Sequence, residues 1–172
     1  MPSRTRTPET HPAFSERQYR DALAQLATGV TVLCARAEED RYVGFTASSF
    51  NSVSLQPPLV LWNLAVSSAA LSSTFAAAQR YAINVLSASQ QDIAMRFARR
   101  PHAERFRDVS YRLGWSEAPL IDGCIAWIEC RHYAQHRAGD HVIFIGEVVT
   151  VERAPGPPLV YHRGQFGTVK ID

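Results

Sequence analysis

Residues 30–65 read VTVLCARAEEDRYVGFTASSFNSVSLQPPLVLWNLA, and their patterning decides the class of fold. VTVLCAR (30–36) is β-branched and apolar, EEDR (38–41) is a charged turn, and YVGFTASSF (42–50) resumes an extended pattern. Together they predict a hairpin whose second arm runs into a Ser-rich loop. Pro57-Pro58 then breaks the chain before LVLWNLA (59–65), a continuous apolar run that suits a strand buried on both faces. No G-x-G-x-x-G follows the first strand, so a doubly wound dinucleotide-binding sheet is not expected.

Upstream, Ser15 and Gln18 have capping-box spacing, and Tyr19, Ala22, Leu23 and Leu26 share one helical face before Gly29, which predicts a helix over 15–28. Residues 1–13 are polar, contain Pro2, Pro8 and Pro12, and read as a flexible arm ahead of one folded domain at 14–172. Downstream, Ser67 and Ser68 are placed to cap an Ala-rich helix, SAALSSTFAAA (68–78), and YAINVL (81–86) returns as a strand. Ser89 is placed to cap a short helix, QQDIAMRFA (90–98), ended by Pro101, and residues 99–123 read as loop. Two alternating segments follow, with Cys124, Ala126, Ile128 and Cys130 on one face of the first. His141, Ile143, Ile145, Val149 and Val151 share a face of the second, and AGD (138–140) is the turn between them. LVYHRGQF (159–166) is a last strand or loop after PGPP (155–158). About six or seven strands, mostly hairpin-linked, with three helices among them predict a mainly β protein: an antiparallel barrel with peripheral helices.

With 172 residues, 46% hydrophobic and 20% charged, the chain has room for one domain with a real core, not for a separate dinucleotide domain beside a catalytic one. A formal net charge of +2 is too small for sequence-independent nucleic-acid binding, so no nucleic-acid partner is expected. Cys34, Cys124 and Cys130 form no C-x-x-C, and read as core residues of a reducing compartment. No apolar run approaches the ~18 residues of a membrane span, and MPSRTRTPETHP has no signal-peptide h-region. The expectation is a cytoplasmic protein without a membrane partner.

The densest polar constellation is GFTASSFNSVS (44–54), where hydroxyls and backbone N–H groups at a strand end can donate to an anion or a ring carbonyl, and Gly44 would let a ligand approach the backbone. A Ser-rich turn that satisfies itself is the alternative. Ser67 and Ser68, at the start of a helix, suit a phosphate or simply a cap. Arg96, Arg99, Arg100, Arg105 and Arg107 are the one basic concentration, either a phosphate partner or a solvated face interleaved with Glu104 and Asp108. Cys130, His132, His136 and His141 invite a metal. Along a strand, however, residues 132 and 136 stand ~13 Å apart, so no metal site is expected. Gly139-Asp140-His141 sets a carboxylate and an imidazole at a hairpin tip, where the His can bond a ligand amide or assist proton transfer. No G-x-S-x-G elbow is present, which disfavours a hydrolase.

GFTASSFNSVSLQPPLV (44–60), YAINVL (81–86), GDH (139–141) with IGEV (145–148), and YHRGQF (161–166) together resemble the short-chain flavin reductases, the reductase components of two-component flavin-dependent monooxygenases. Their order and spacing match from about residue 14 to 168. The resemblance implies an FMN-binding split β-barrel of antiparallel Greek-key type, working as a homodimer with flavin near the dimer interface. It implies hydride transfer from NADH or NADPH to FMN or FAD, with reduced flavin leaving for a separate monooxygenase. A flavin carrier or sensor on the same barrel is the alternative. By the same resemblance Thr46, Ala47, Ser48 and Ser49 lie along the flavin, and Asn63, Leu64, Ala65 and Ser68 add contacts. Arg96 and Phe97 contribute from the next helix, Arg96 to a phosphate; His141 lies where nicotinamide stacks, and Tyr161 to Gly164 close over the site. Phe45, where the family often has Met, and Asn63, where it often has a small residue, depart from the pattern.

Overall fold

The computed structural model describes residues 13–38 and 41–170; the expected N-terminal arm, save Ala13, and the tip of the first hairpin lie outside the described residues. Helix α1 (Glu16–Leu23) starts on its capping box: Gln18 N–H donates to Ser15 Oγ at 3.2 Å, and Ser15 N–H donates to Gln18 Oε1 at 2.8 Å. It stops short of the expected residue 28 because Thr28–Gly29, strand β1, is drawn off to pair with Val160 and Tyr161. Strands β2 (Thr31–Glu38) and β3 (Arg41–Ala47) form the expected antiparallel hairpin.

The stretch expected as Ser-rich loop holds a strand, β4 (Asn51–Leu55), folded back on β5 (Pro58–Ala65) through the cis Gln56-Pro57 bond. Only one face of β5 is fully buried: Val60, Trp62 and Leu64 enter the core, while Leu61, Asn63 and Ala65 stay half-buried. Helix α2 (Ala69–Ala77) has Ser68 at its N-cap position without a side-chain capping bond, and β6 (Arg80–Val85) follows. Helix α3 (Gln91–Arg99) begins after Gln90 rather than on Ser89, whose hydroxyl is 3.0 Å from that of Ser87.

Within the expected loop, a 3₁₀ turn at His102–Glu104 precedes the paired strands β7 (Tyr111–Leu113) and β8 (Pro119–Ile121). Strands β9 (Ala126–Ala138) and β10 (His141–Arg153) make the long hairpin. The final run is two strands, β11 (Leu159–His162) and β12 (Gln165–Thr168), turning at Arg163 and Gly164 with φ of 49° and 81°.

The main sheet has seven antiparallel strands in the order β3-β2-β6-β9-β10-β5-β4, and β1, β11 and β12 form a separate three-stranded sheet. Neither sheet closes on itself, which makes the fold a mainly β split barrel with peripheral helices. Alternation along β2 and β6 divides the core between the two faces. Leu33, Ala35, Tyr81 and Ile83 point into the barrel with Phe45, Trp62, Phe75 and Phe144, where Trp62 and Phe144 stack at 4.3 Å between centroids. Val32, Cys34 and Ala82 pack outward under Ala94 and Phe97 of α3 and Leu120 and Ile121 of β8. All three cysteines are buried and free, and burial pushes the Cys124 and Cys130 thiols up to about 12.

The face of β10 shared by His141, Ile143, Ile145, Val149 and Val151 is not the one that enters the core. Phe144 and Gly146 are buried, whereas His141, Ile143 and Ile145 are half-buried, and register shifts after Ile145 and Val148 interrupt the alternation. Two buried polar residues hold the 114–121 segment in place. Asn84 Nδ2 donates to the carbonyls of Val32 (3.1 Å) and Pro119 (3.2 Å), and its Oδ1 accepts from Ile121 N–H (2.7 Å). The Glu129 carboxylate accepts from Ser116 N–H (2.6 Å), Ser116 Oγ (2.7 Å) and Thr150 Oγ (2.7 Å).

Candidate functional site

The segment from Gly44 to Ser49 is held from both sides. Gly44 does not leave room for a ligand, because a Cβ there would sit 2.8 Å from Phe97 Cε1 and 3.1 Å from both Phe106 Cζ and the Leu33 carbonyl. Its missing side chain lets α3 and the Phe97–Phe106 pair (4.9 Å between centroids) close onto β3. The buried Arg105 guanidinium adds a 2.6 Å bond to the Gly44 carbonyl. Phe45 turns into the barrel against Trp62 (5.6 Å) and Phe75 (5.5 Å).

The three hydroxyls of the loop divide their work. Thr46 Oγ donates to the Ala94 carbonyl of α3 at 2.6 Å, and Ser49 Oγ accepts the Asn63 N–H of β5 at 2.9 Å. The exposed Ser48 hydroxyl has no partner among the described residues. Asn63, fixed by β5, carries a buried Oδ1 that no group satisfies, and such an atom calls for a donor.

Beside Asn63, β10 starts at His141, paired with Ala65, while the Asp140 carbonyl accepts Val66 N–H at 2.8 Å. His141 Nδ1 lies 2.7 Å from Asp140 Oδ1, and this hydrogen bond holds the Asp140 carboxyl below its ordinary value. An ionised carboxylate only accepts, so Nδ1 carries a proton and Nε2 is left for a ligand, as acceptor when the ring is neutral and as donor when charged.

These groups border a cavity of about 770 Å³ lined by Phe45, Thr46, Ala47, Ser48, Ser49, Asn63, Asp140 and His141 on one side. Its other wall is α1, through Glu16, Tyr19, Arg20 and Leu23. Arg20 is tied to Glu16 at 2.6 Å. A second cavity of about 210 Å³ lies across the loop, sharing Thr46 and Ser48 and adding Val30, Met95, Ala98, Arg99, Tyr161, Gly164 and Phe166. Arg163 N–H, in the turn between β11 and β12, donates to the carbonyl of Ala24 at the end of α1 at 3.1 Å.

Of the residues expected from sequence, Thr46, Ala47, Ser48, Ser49, Asn63 and His141 gather at the first cavity, and Tyr161 and Gly164 at the second. Leu64, Ala65, Ser68, Arg96 and Phe97 line neither. Leu64 points into the core, Ala65 pairs with His141, and Ser68 heads α2. Phe97 is fully buried against Phe106, and Arg96 Nη1 is spent on the Arg107 carbonyl at 2.7 Å. Sequence reasoning missed the α1 wall, although the helical face of Tyr19 and Leu23 was its signal, and did not single out Arg99, which lines the second cavity, from the other arginines. Among the described residues no group of three or more His, Cys, Asp or Glu is placed to hold a metal, and no helix is long and apolar enough to cross a membrane.

Residues 23–170 match the family model described as flavin reductase like domain. FMN reductase (NADH) SmoA of Agrobacterium fabrum is 43% identical over 153 residues, 89% of this chain and 86% of that protein. The reductase component of the flavin-dependent trigonelline monooxygenase of Acinetobacter baylyi is 41% identical over 152 residues, 88% of this chain. The chain spans about half the length of that relative, 48%, and 51% of a Rhizobium meliloti relative at 44% identity. Among solved structures, an NADH:FAD oxidoreductase of Streptomyces globisporus superimposes with a TM-score of 0.84 at 37% identity, covering 91% of this chain and 95% of that one. The flavin reductase component of a bacterial two-component tryptophan halogenase gives 0.82 at 36% identity, covering 92% and 100%.

Proposed function

The chain belongs to the flavin reductase-like family, and from that premise we propose that it is an NAD(P)H:flavin oxidoreductase that passes hydride from NADH or NADPH to FMN or FAD. The observation that carries the reading is the first cavity, where the Thr46–Ser49 loop, Asn63 and the Asp140-bound His141 face one space. At about 770 Å³ it lies within the ~300–1,000 Å³ of small-molecule sites.

The residues present fit a flavin. The unsatisfied Asn63 Oδ1 suits a ring N–H, and the free Ser48 hydroxyl suits a ring carbonyl or the ribityl chain. A bound flavin supplies the electron-accepting ring, so the protein needs no nucleophile and no metal. Its own contribution is placement. Thr46 and Ser49 hold the loop rigid against α3 and β5, Phe45 backs the cavity with aromatic core, and α1 covers its outer side. His141 lines the space with its Nδ1 held by Asp140, which fixes the ring and its tautomer and leaves Nε2 to hold or deliver one proton.

Because it resembles the reductase component of a flavin-dependent monooxygenase and the flavin reductase component of a two-component halogenase, the chain is read as supplying reduced flavin to a separate monooxygenase. Two further parts of the reading are a cytoplasmic location and a homodimer. The exposed apolar side chains of α1, Tyr19 and Leu23, together with Leu26, support the dimer, because all three stay exposed in one copy and the first two border the cavity. The test is NADH oxidation by the purified chain, followed at 340 nm with and without added FMN or FAD. Flavin-dependent turnover is expected. Flavin binding without turnover would favour a carrier on the same barrel, and absence of flavin binding would refute the reading.

A further inference from the structure

Resting on the flavin reading above, we infer that Arg105 is a positioning residue for the flavin-facing loop: its buried guanidinium, bonded to the Gly44 carbonyl, fixes the root from which Thr46–Ser49 reach the ligand. Arg105 lines neither of the two cavities, so it acts through the loop rather than on the ligand.

Arginine is almost never fully buried unless it is paired with a carboxylate. Arg105 is 8% exposed, and among the described residues no carboxylate forms an ion pair with it. A guanidinium stays protonated, so a full charge lies in the protein without a counter-ion; burial, and then that charge, hold the neighbouring His102 imidazole below its ordinary value. Arg105 donates instead to two carbonyls, those of Gly44 at 2.6 Å and Arg100 at 2.9 Å. Hydrogen bonds from a charged donor are shorter and roughly twice as strong as neutral ones.

The places of those carbonyls define what the side chain does. Arg100 is the residue that ends α3, and Gly44 lies on β3, an end strand of the main sheet that is paired on one side only, by β2. One side chain therefore clamps the end of α3 to a half-supported strand, two residues before Thr46. Phe106, next in the chain, packs on the same glycine together with Phe97, where a Cβ would not fit. Further along, Thr46 Oγ donates to the Ala94 carbonyl and Ser49 Oγ accepts the Asn63 N–H. Of these three ties only the one from Arg105 carries a charge. Without it the two neutral bonds keep the loop on the fold, but the end of β3 no longer has a fixed position, and placement is what the protein contributes to hydride transfer.

The experiment combines amide hydrogen exchange of the flavin-free full chain with thermal unfolding and fluorescence titration with FMN, for the unsubstituted chain, Arg105→Met, Arg105→Lys and Glu129→Gln. Glu129→Gln is the control destabilised away from the loop, since its partners are Ser116 and Thr150. Arg105→Met keeps the apolar stem and removes the charge and both bonds. It is expected to speed exchange over residues 44–49 and to raise the Kd of FMN about tenfold, because the ligand must restore a position that the charged bond had held. Arg105→Lys, which keeps the charge but loses the fork, should fall between the two, and decides the matter where Arg105→Met does not fold. Glu129→Gln should leave exchange over 44–49 and the FMN Kd within about twofold. Unchanged exchange over 44–49 in the Arg105 variants, or an FMN loss no greater than that of Glu129→Gln, overturns the assignment. So does failure of both Arg105 variants to fold, which would make the residue part of the core alone. If the unsubstituted chain binds no flavin, the flavin reading itself has failed, an outcome that the exchange data, taken without flavin, keep apart from a failure of the tie.

Discussion

Replacing Thr46 with Val and, separately, Ser48 with Ala separates two roles that neighbouring hydroxyls of one motif play. Thr46→Val is nearly isosteric but removes the 2.6 Å bond to the Ala94 carbonyl. A net intramolecular hydrogen bond is worth about 1 kcal/mol, and in a domain of this size that lowers Tm by about 2–4 °C. Its effect on flavin is indirect, through looser seating of the loop on α3. Ser48 has no internal bond to lose, so Ser48→Ala should leave Tm unchanged and forfeit one contact with the ligand. The same ~0.5–1.5 kcal/mol then becomes a two- to thirteenfold rise in flavin Kd. Thermal unfolding of the flavin-free chain and fluorescence titration with FMN measure the two quantities independently. The reasoning is refuted if Thr46→Val weakens FMN more than Ser48→Ala does while leaving Tm untouched, because the Thr46 hydroxyl would then be serving the ligand rather than α3.

Asn84→Leu should cost about 3–5 kcal/mol in urea unfolding, since it strands two carbonyls and the Ile121 N–H in a dry core; a loss below about 1 kcal/mol would show the segment is held by other means. Burial pushes the Glu129 carboxyl up, but the bonds from Ser116, Thr150 and Trp115 outweigh it and leave its value below the ordinary one. A carboxyl lower in the folded than in the unfolded chain stabilises above its unfolded value and loses that contribution as pH falls through the folded one. Glu129→Gln should therefore flatten the acid limb of stability against pH below about pH 4.3, and an unchanged limb would assign that slope to other carboxyls. His141→Ala should lower NADH oxidation by at least about tenfold with FMN affinity within about twofold, and equal losses in both would make the ring a flavin contact instead.

How much of this was legible in the sequence depended on where the deciding interactions lay. The β2–β3 hairpin, β6 and the long β9–β10 hairpin declare themselves through local alternation and turn residues. Strand β4 does not, because NSVSL offers little apolar contrast and is a strand only by virtue of pairing with β5. Strand β8 and the turn that joins it to β7 are held in place by Asn84 and Glu129 from distant parts of the chain, which no local window contains. On β10 the even positions Phe144 and Gly146 enter the core while Ile143, Ile145, Val149 and Val151 alternate on the other face, and nothing in the local pattern announces which face is covered. At the site, the hydroxyl loop, Asn63 and His141 could be found by residue type, whereas which arginine of α3 lines a cavity, Arg99 rather than Arg96, depends on how α3 is rotated against β3.

Helix α1 makes one wall of the larger cavity while burying none of its own residues. Within one copy, substitutions at Glu16, Tyr19, Arg20 or Leu23 would therefore reshape the ligand's surroundings without disturbing either core, whereas the opposite wall, built on Phe45 and Asn63, can change only at the expense of packing. The site thus has a conservative floor and an adjustable ceiling, and a lineage or an engineer adapting this barrel to a different flavin or nicotinamide nucleotide would find the inexpensive changes concentrated in a single eight-residue helix.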